Sequence, residues 1–229
     1  MVVGNGLVAK AFYKYKDSAE LVLFCSGVSD STCREPAEFK READLLASTI
    51  AGNPDKKIVY FSTCSIEDPS IRDSLYVAHK QGMEKMLATL ANSYRIFRLS
   101  NLVGYTANKV TVLNFLFNAI KSGSHFNLWQ NSSRNIIDID DVSPIVSRAL
   151  ETGLADNSLV NIANTISYDV PFIVRNIESF LGRKGNYTLQ DFGARYSIST
   201  EAIKPIIFEL GIDFREGYLQ NLLHKYYSK

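Results

Sequence analysis

The sequence predicts an α/β protein with a mostly parallel sheet and helices on both of its faces. Two observations support this. Short apolar runs that suit buried strands alternate with amphipathic stretches long enough for helices, which is the pattern of βαβ units. The chain of 229 residues is also long enough to bury the core of one large α/β domain with a small appendage.

The first half of the chain carries a regular alternation of strands and helices. The predicted strands are Met1–Val3, Leu21–Phe24, Lys57–Phe61 and Tyr94–Leu99. The predicted helices run from the glycine turn at Gly4 to about Tyr15, from Pro36 to Ile50, from a cap at Asp73 or Ser74 to Leu90, and from Val110 to Ile120. Proline suits a first helical turn, because its missing N–H has no partner there in any case.

The alternation loosens in the second half of the chain. The predicted elements there are a strand Phe126–Trp129, a helix with Pro144 in its first turn, a strand Leu159–Ala163, a helix from Pro171 to Gly182, a helix capped by Ser199 that ends at Leu210, and an amphipathic stretch to Tyr227. We therefore expect a main domain over residues 1–165 and a small, mainly helical lobe over 166–229.

The composition excludes several classes of protein. A formal net charge of +1 gives no sign of a nucleic-acid or membrane-surface patch. No apolar run approaches the roughly 18 residues of a membrane span, and no signal peptide is recognisable. The three cysteines lack the spacing of metal ligands and are odd in number. We expect a reduced, cytoplasmic protein with no metal site and no nucleic-acid or membrane partner.

The pattern Gly4-x-Gly6-x-x-Ala9 lies between the first strand and the first helix. Such glycines let the backbone approach a pyrophosphate at a helix N-terminus, although a tight turn without a ligand gives the same pattern. A dinucleotide site also expects an acidic residue about 20 positions later, to hold the adenosine ribose. That position falls near Cys25-Ser26-Gly27, and Asp30 is the nearest acid.

Tyr76 and Lys80 share one face of a predicted helix that follows the strand-end residue Thr63. An adjacent ammonium favours the phenolate and should lower the pKa of Tyr76, while the Thr63 hydroxyl can share the proton that moves. This trio suits hydride transfer between a nicotinamide and a carbonyl or alcohol. Taken singly, loop hydroxyls, a surface tyrosine and a solvated lysine explain the same residues. We expect His79 to face away from this pair, in a structural or exposed position.

Further polar residues follow later strands. Asn101 could bind a substrate phosphate or hydroxyl, or it could simply turn its loop. Arg134 could pair with a diphosphate in a bidentate manner, or it could be a surface arginine. Asp138, Asp140 and Asp141 fit the cap and first turn of a helix better than a metal cluster.

Together these motifs resemble the extended short-chain dehydrogenase/reductases, the NAD-dependent epimerase/dehydratase family that acts on nucleotide sugars. The matching segments are Gly4-x-Gly6-x-x-Ala9, Ser62-Thr63, Tyr76-x-x-x-Lys80 with Glu84, Arg98-x-x-Asn101-x-x-Gly104, Arg134-x-x-x-x-Ile139-x-Asp141, and the tail from Ile203-Lys204 to Glu209-Leu210-Gly211. The resemblance covers nearly the whole chain and implies a Rossmann-like, dinucleotide-binding main domain, with residues 123–140 on the substrate side and the C-terminal lobe over the substrate.

The resemblance also implies roles for individual residues. Thr63, Tyr76 and Lys80 would be catalytic. The implied cofactor-binding residues are Gly4, Asn5, Gly6, Leu7, Val8, Ser26, Gly27, Ser62, Tyr76 and Lys80. The implied substrate-binding residues are Cys64, Ser65, Asn101 and Arg134. Homodimers would form through the helices at 36–51 and 74–91.

The chain departs from the family pattern in its first third. The strand Leu21–Phe24 resembles the family's fourth strand, so the second and third strands and the helix between them are expected to be missing. This predicts a trimmed sheet with the first strand at or near an edge, and few contacts for the adenosine of a dinucleotide. The opening glycine turn and the stretch from Thr63 to Tyr76 are also shorter than in the family.

These features favour an NAD(P)-dependent reductase or epimerase that acts on a keto group or hydroxyl of a nucleotide-linked sugar. A dehydratase ranks lower, because Cys64 and Ser65 follow Thr63 where extra carboxylates would be needed. Lys14, Lys16 and Arg34 favour NADP slightly over NAD. Two alternatives stay open: a non-catalytic member that binds a nucleotide or sugar nucleotide as a regulator or partner subunit, and an enzyme that uses the same cleft without a nicotinamide.

Overall fold

The computed structural model describes residues 1–106, 108–154 and 156–228. The first half contains β1 (Val2–Val3), α1 (Leu7–Ala11), β2 (Leu21–Phe24), α2 (Pro36–Ala51), β3 (Lys57–Thr63), α3 (Leu75–Leu90), β4 (Tyr94–Leu99), β5 (Asn101–Val103) and α4 (Val112–Ser122). The second half contains β6 (His125–Trp129), β7 (Ser133–Asp138), α5 (Ile139–Glu151), β8 (Leu159–Ile162), β9 (Ser167–Asp169), α6 (Val170–Leu181), β10 (Asn186–Gln190), α7 (Lys204–Glu209) and α8 (Tyr218–Tyr227).

The main sheet has the strand order β1-β2-β3-β4-β8, and all of its neighbouring strands are parallel. This confirms the α/β class and the alternation predicted from the sequence. β1 lies at the edge of the sheet and pairs with β2 alone among the described residues. The edge position confirms that the first strand lacks the neighbours that two further strands would supply.

The second half also forms two small sheets that the sequence pattern did not predict. β7 pairs with β5 in parallel and with β9 in antiparallel fashion, and β6 pairs with β10 in parallel. Two helix predictions were wrong in detail. Pro144 lies inside α5 rather than in its first turn, because Asp138 caps that helix and moves its start forward. Ser199 caps no helix, since a 3₁₀ turn at Glu201–Ile203 leads directly into α7.

Apolar residues on both faces of the main sheet bury it beneath helices. On one face, Val22, Tyr60 and Ile96 pack against α2 and α3. On the other, a larger cluster joins strand residues such as Val59 and Phe97 to the later helices, including α7 and α8. The domain division at residue 165 stays a prediction. No helix among the described residues has the length and apolar character needed to cross a membrane.

Candidate active site

A cavity of about 310 Å³ opens at the carboxyl ends of the strands of the main sheet. Parallel sheets gather ligand sites at this edge, because the strand-to-helix loops there come from neighbouring strands. Eleven of the residues predicted as site residues line the cavity: Gly6, Leu7, Val8, Gly27, Ser62, Thr63, Cys64, Ser65, Tyr76, Lys80 and Asn101. The others, Gly4, Asn5, Ser26 and Arg134, are not among its lining residues.

Helix α3 carries Tyr76 and Lys80 into this cavity. Its N-terminus is capped by Ser74, whose hydroxyl oxygen accepts a hydrogen bond from the Val77 N–H at 3.2 Å. Arg98 at the end of β4 binds the same helix by donating hydrogen bonds to both carboxylate oxygens of Glu84, at 2.8 and 2.7 Å. This bidentate pair fixes α3 against the sheet, and so fixes the position of the tyrosine and the lysine.

Tyr76 and Thr63 face the cavity from positions that are almost closed to solvent. Their exposed fractions are 6% and 7%. Burial raises the pKa of Tyr76 to about 12, and the hydrogen bond with Thr63, which favours the phenolate, does not offset it. The expectation that the pKa of Tyr76 is lowered was therefore wrong. The phenol is protonated at neutral pH.

Lys80 is not a solvated lysine, because its exposed fraction is 2%. Its ammonium donates to both carboxylate oxygens of Glu42, at 2.9 and 3.2 Å, and to the Tyr60 hydroxyl at 3.2 Å. Its Nζ lies 5.9 Å from the centroid of the Tyr76 ring. The positive charge that should act on Tyr76 is thus already paired with a carboxylate.

His79 belongs to the same cluster, which corrects the expectation that it faces away from the pair. Its Nε2 lies 3.0 Å from Glu42 Oε2, and its ring stacks on Phe39 at a centroid distance of 4.6 Å. The sequence reasoning missed Glu42 itself. The sequence pattern does point to it. Glu42 lies at helical spacing from Leu46, Thr49 and Ile50, which places a carboxylate on the buried face of α2.

The two glycines of the glycine turn, Gly4 and Gly6, differ in backbone conformation and in the space around them. Gly4 adopts φ +125°, and a Cβ there would lie 2.7 Å from the Cys25 carbonyl oxygen. Gly6 precedes α1 at an ordinary φ of −76°, with nothing within 4 Å of a would-be Cβ. The first glycine therefore serves the fold, whereas the second leaves open space at the helix N-terminus beside the cavity.

We expect Gly4→Ala to lower the free energy of unfolding by about 1–3 kcal/mol, because alanine is strained at positive φ and would press on a backbone carbonyl. The matched variant Gly6→Ala has room for its methyl group and should lose less. Denaturant unfolding of the two variants beside wild type measures the difference. Equal losses at both positions would contradict the separate roles given to the two glycines.

The predicted substrate residues are held in different ways. Asn101 donates from Nδ2 to the Asn135 carbonyl at 2.8 Å. Cys64 donates from Sγ to the Arg98 carbonyl at 3.2 Å. Arg134 is already engaged, since its Nη1 contacts Asp68 Oδ2 at 3.2 Å and the Ser133 carbonyl at 2.7 Å. It would have to exchange a partner to bind a diphosphate.

Asp138, predicted as a helix cap, accepts from the Asp140 N–H at 2.9 Å and caps α5. It also binds the C-terminal helix through Lys225 and Tyr226. No group of histidine, cysteine and carboxylate side chains in the described part of the chain could hold a metal ion.

The model of the NAD dependent epimerase/dehydratase family matches residues 37–163, which is more than half of the chain. The chain belongs to this family. The matched range runs from α2 to the end of β8 and contains Thr63, Tyr76, Lys80 and Asn101, as well as Glu42. No curated protein matches the sequence.

Solved structures agree on the fold. UDP-glucuronic acid 4-epimerase from Bacillus cereus, in complex with UDP-glucuronic acid and NAD, superposes with a TM-score of 0.71 at 13% identity, covering 93% of this chain and 75% of the other. dTDP-glucose 4,6-dehydratase from Bacillus anthracis, with NAD, gives a TM-score of 0.68 at 14% identity, covering 94% and 74%. RMD from Pseudomonas aeruginosa, with NADPH, gives a TM-score of 0.69 at 14% identity, covering 97% of each chain.

The residues of this family member fit part of a nicotinamide dinucleotide. The hydroxyl oxygens of Ser62 and Ser100, at the ends of β3 and β4, are buried and have no hydrogen-bond partner among the described residues, and both residues line the same cavity as Tyr76. Buried hydroxyls without partners are rare in folded proteins, and a carboxamide could satisfy them. Beyond β1 the described residues provide no further strand of the main sheet to support an adenosine. The fit is therefore good at the nicotinamide end and sparse at the adenosine end.

Proposed function

We propose that this protein is an NAD(P)-dependent reductase or epimerase that acts on a keto group or hydroxyl of a nucleotide-linked sugar. The observation that carries the proposal is the gathering of Thr63, Tyr76 and Lys80 in one cavity, together with the glycine turn at Gly6. Family membership supports the general reaction type. The dehydratase variant ranks lower, because Cys64 and Ser65 supply no additional carboxylate beside Thr63.

The bound cofactor would supply or accept the hydride. Tyr76, as a protonated phenol, gives its proton to the substrate oxygen when a carbonyl is reduced, and takes it back when the alcohol is oxidised. The Thr63 hydroxyl donates a hydrogen bond to the oxygen as negative charge develops on it. The near-complete burial of both side chains excludes bulk water, which strengthens these interactions.

On the substrate side, we assign Cys64, Ser65 and Asn101 to the sugar nucleotide, because they line the cavity next to Thr63. Arg134 would meet the diphosphate only after releasing Asp68. The preference for NADP rests on Lys14, Lys16 and Arg34, which are exposed. We also propose a homodimer through α2 and α3, since Leu75 and Leu90 are exposed at the two ends of α3.

A second candidate function has specific support. The edge position of β1 removes neighbours from the adenosine site, and the ion pair with Glu42 occupies the ammonium that would contact the nicotinamide ribose. Both features suit a non-catalytic member that binds a nucleotide or a sugar nucleotide as a regulator or a partner subunit.

Titration with NADPH and NADH tests the proposal, with the fluorescence of the reduced nicotinamide as the signal. We expect saturable binding of at least one cofactor, and competition by the other. Absence of binding for both at millimolar concentration would overturn the redox function. In that case, binding of a nucleotide diphosphate or a UDP-sugar, followed by calorimetry, would support the non-catalytic candidate.

A further inference from the structure

The carboxylate of Glu42 is buried and surrounded by hydrogen-bond donors. The side chain is fully buried and accepts hydrogen bonds from four groups: the Val28 N–H at 2.7 Å, the Tyr60 hydroxyl at 2.6 Å, His79 Nε2 at 3.0 Å and Lys80 Nζ at 2.9 Å. Burial opposes its ionisation, yet His79, Lys80, Tyr60 and the Val28 N–H together lower the pKa of Glu42 to about 2. Glu42 is therefore a carboxylate at any physiological pH.

This carboxylate determines where the Lys80 ammonium points. An ammonium has three N–H donors, and Glu42 and Tyr60 supply three acceptor contacts for them within 3.2 Å. The ammonium lies against Gly27 at the end of β2, where a Cβ would be 2.6 Å from Nζ and 3.0 Å from Glu42 Oε1. The absence of a side chain at residue 27 makes room for the ion pair.

The charges around Tyr76 show what the arrangement does to the phenol. Besides burial, Glu42 from α2, Asp30 from the loop after β2 and Cys64 after β3 all raise its pKa, and Thr63 alone of these neighbours lowers it. Burial lowers the pKa of Lys80 itself, and Glu42 opposes this most strongly. Arg41 on α2 and Glu84 on α3 also act on Lys80. Glu84 is itself paired with Arg98.

We propose that Glu42 is a positioning residue, which holds the Lys80 ammonium at the β2 side of the site and so adds to burial in keeping Tyr76 a protonated phenol when it enters the reaction. The role rests on the proposed function. In the reductive direction the hydride adds to the carbonyl carbon, the C=O electron pair moves to oxygen, and the Tyr76 O–H bond breaks to protonate it. Tyr76 leaves this step as tyrosinate and recovers its proton from solvent. In the oxidative direction Tyr76 must first lose its proton, so that rate rises with pH.

The test is the ionisation of Tyr76 in the protein without cofactor or substrate. The chemical shifts of ¹³C-labelled tyrosine rings are followed against pH, and the Tyr76 signal is identified by its loss in Tyr76→Phe. In wild type we expect no ionisation of Tyr76 up to the ordinary tyrosine pKa of 10.0. In Glu42→Gln the ammonium loses its counter-charge, and the midpoint should fall by at least about one pH unit, a tenfold change in the ionisation constant.

Two controls make the shift specific. Asp44→Asn removes an exposed carboxylate from the same helix, where it pairs with Lys40, and should leave the Tyr76 midpoint unchanged. The double variant Glu42→Gln with Lys80→Met removes the ammonium as well, so the shift should shrink to the part that the Glu42 charge exerts on Tyr76 directly. An unchanged midpoint in Glu42→Gln, or an equal shift in the double variant, would overturn the proposal.

If Glu42→Gln does not fold, the ionisation of Tyr76 in the wild-type protein tests the proposal alone. Ionisation of Tyr76 below pH 10.0 would mean that Lys80 acts on the phenol despite Glu42, and it would overturn the role of Glu42. Because no cofactor is present, this result is separate from the cofactor titration. Failure of cofactor binding would instead remove the proposed reaction and leave the measured ionisation standing.

Discussion

Replacing Tyr76 by phenylalanine is expected to lower turnover by about 10²–10⁴-fold, the range that a positioned acid–base group contributes. The phenylalanine ring fills the same buried volume, but it has no hydroxyl to pass a proton to or from the substrate oxygen. The hydroxyl is lost and the cavity wall is kept, so cofactor binding should change little.

The measurement compares steady-state rates and reduced-nicotinamide fluorescence for wild type, Tyr76→Phe and Tyr187→Phe. Tyr187 lies on β10 outside the cavity, where its ring packs on Phe126, so its substitution controls for the loss of a hydroxyl in general. Loss of cofactor binding together with activity would show that Tyr76 holds the cofactor instead of moving a proton.

Replacing Glu42 by alanine is expected to lower the free energy of unfolding by about 3–5 kcal/mol at neutral pH, the usual cost of removing one partner of a buried ion pair. The variant leaves the Lys80 ammonium buried without its carboxylate, and it leaves the Tyr60 hydroxyl and the Val28 N–H without an acceptor. Stability would be measured by denaturant unfolding. Asp44→Ala, on the exposed side of the same helix, should cost far less.

The loss should also depend on pH in a defined direction. The pKa of Glu42 falls from its usual 4.5 to about 2 on folding. A carboxyl with a lowered folded pKa stabilises the protein above its unfolded pKa, and this contribution disappears as pH falls through the folded pKa. Burial lowers the pKa of Lys80, which destabilises the folded protein. The ion pair therefore adds less to the free energy of unfolding than the pKa shift of Glu42 alone implies. The gap between wild type and Glu42→Ala should narrow from pH 4.5 toward 2. A constant gap would indicate lost packing rather than lost charge.

The main sheet and the content of the cavity followed from local sequence patterns. Residues that directly follow parallel strands meet at one edge of a sheet, so Thr63 could be placed near Tyr76 and Lys80 once the strands were recognised. The edge position of β1 followed for a similar reason, since the sequence between β1 and β2 is too short for two further strands.

The ion pair of Lys80 and the pKa of Tyr76 could not be predicted from local sequence patterns. Lys80 and Glu42 lie 38 positions apart, and their contact depends on how α2 packs on α3. The pattern of α2 could place Glu42 on a buried face, but it could not identify its partner. The Tyr-x-x-x-Lys spacing predicted two neighbours correctly and gave the wrong direction for the pKa of Tyr76. The strand at Ser133–Asp138 escaped prediction because its pairing with β5 and β9 is likewise long-range.

The cavity has one more property that follows from its lining. Among the described residues, Lys80 is the only charged side chain on its wall, and Glu42 neutralises it. An approaching anion therefore meets no unpaired charge on this wall, only backbone N–H groups and hydroxyls that act at contact distance. Association of a phosphorylated ligand should accordingly depend little on ionic strength, because the wall offers no unpaired charge whose attraction salt could screen. Capture at this site is governed by shape and close contact rather than by electrostatic steering.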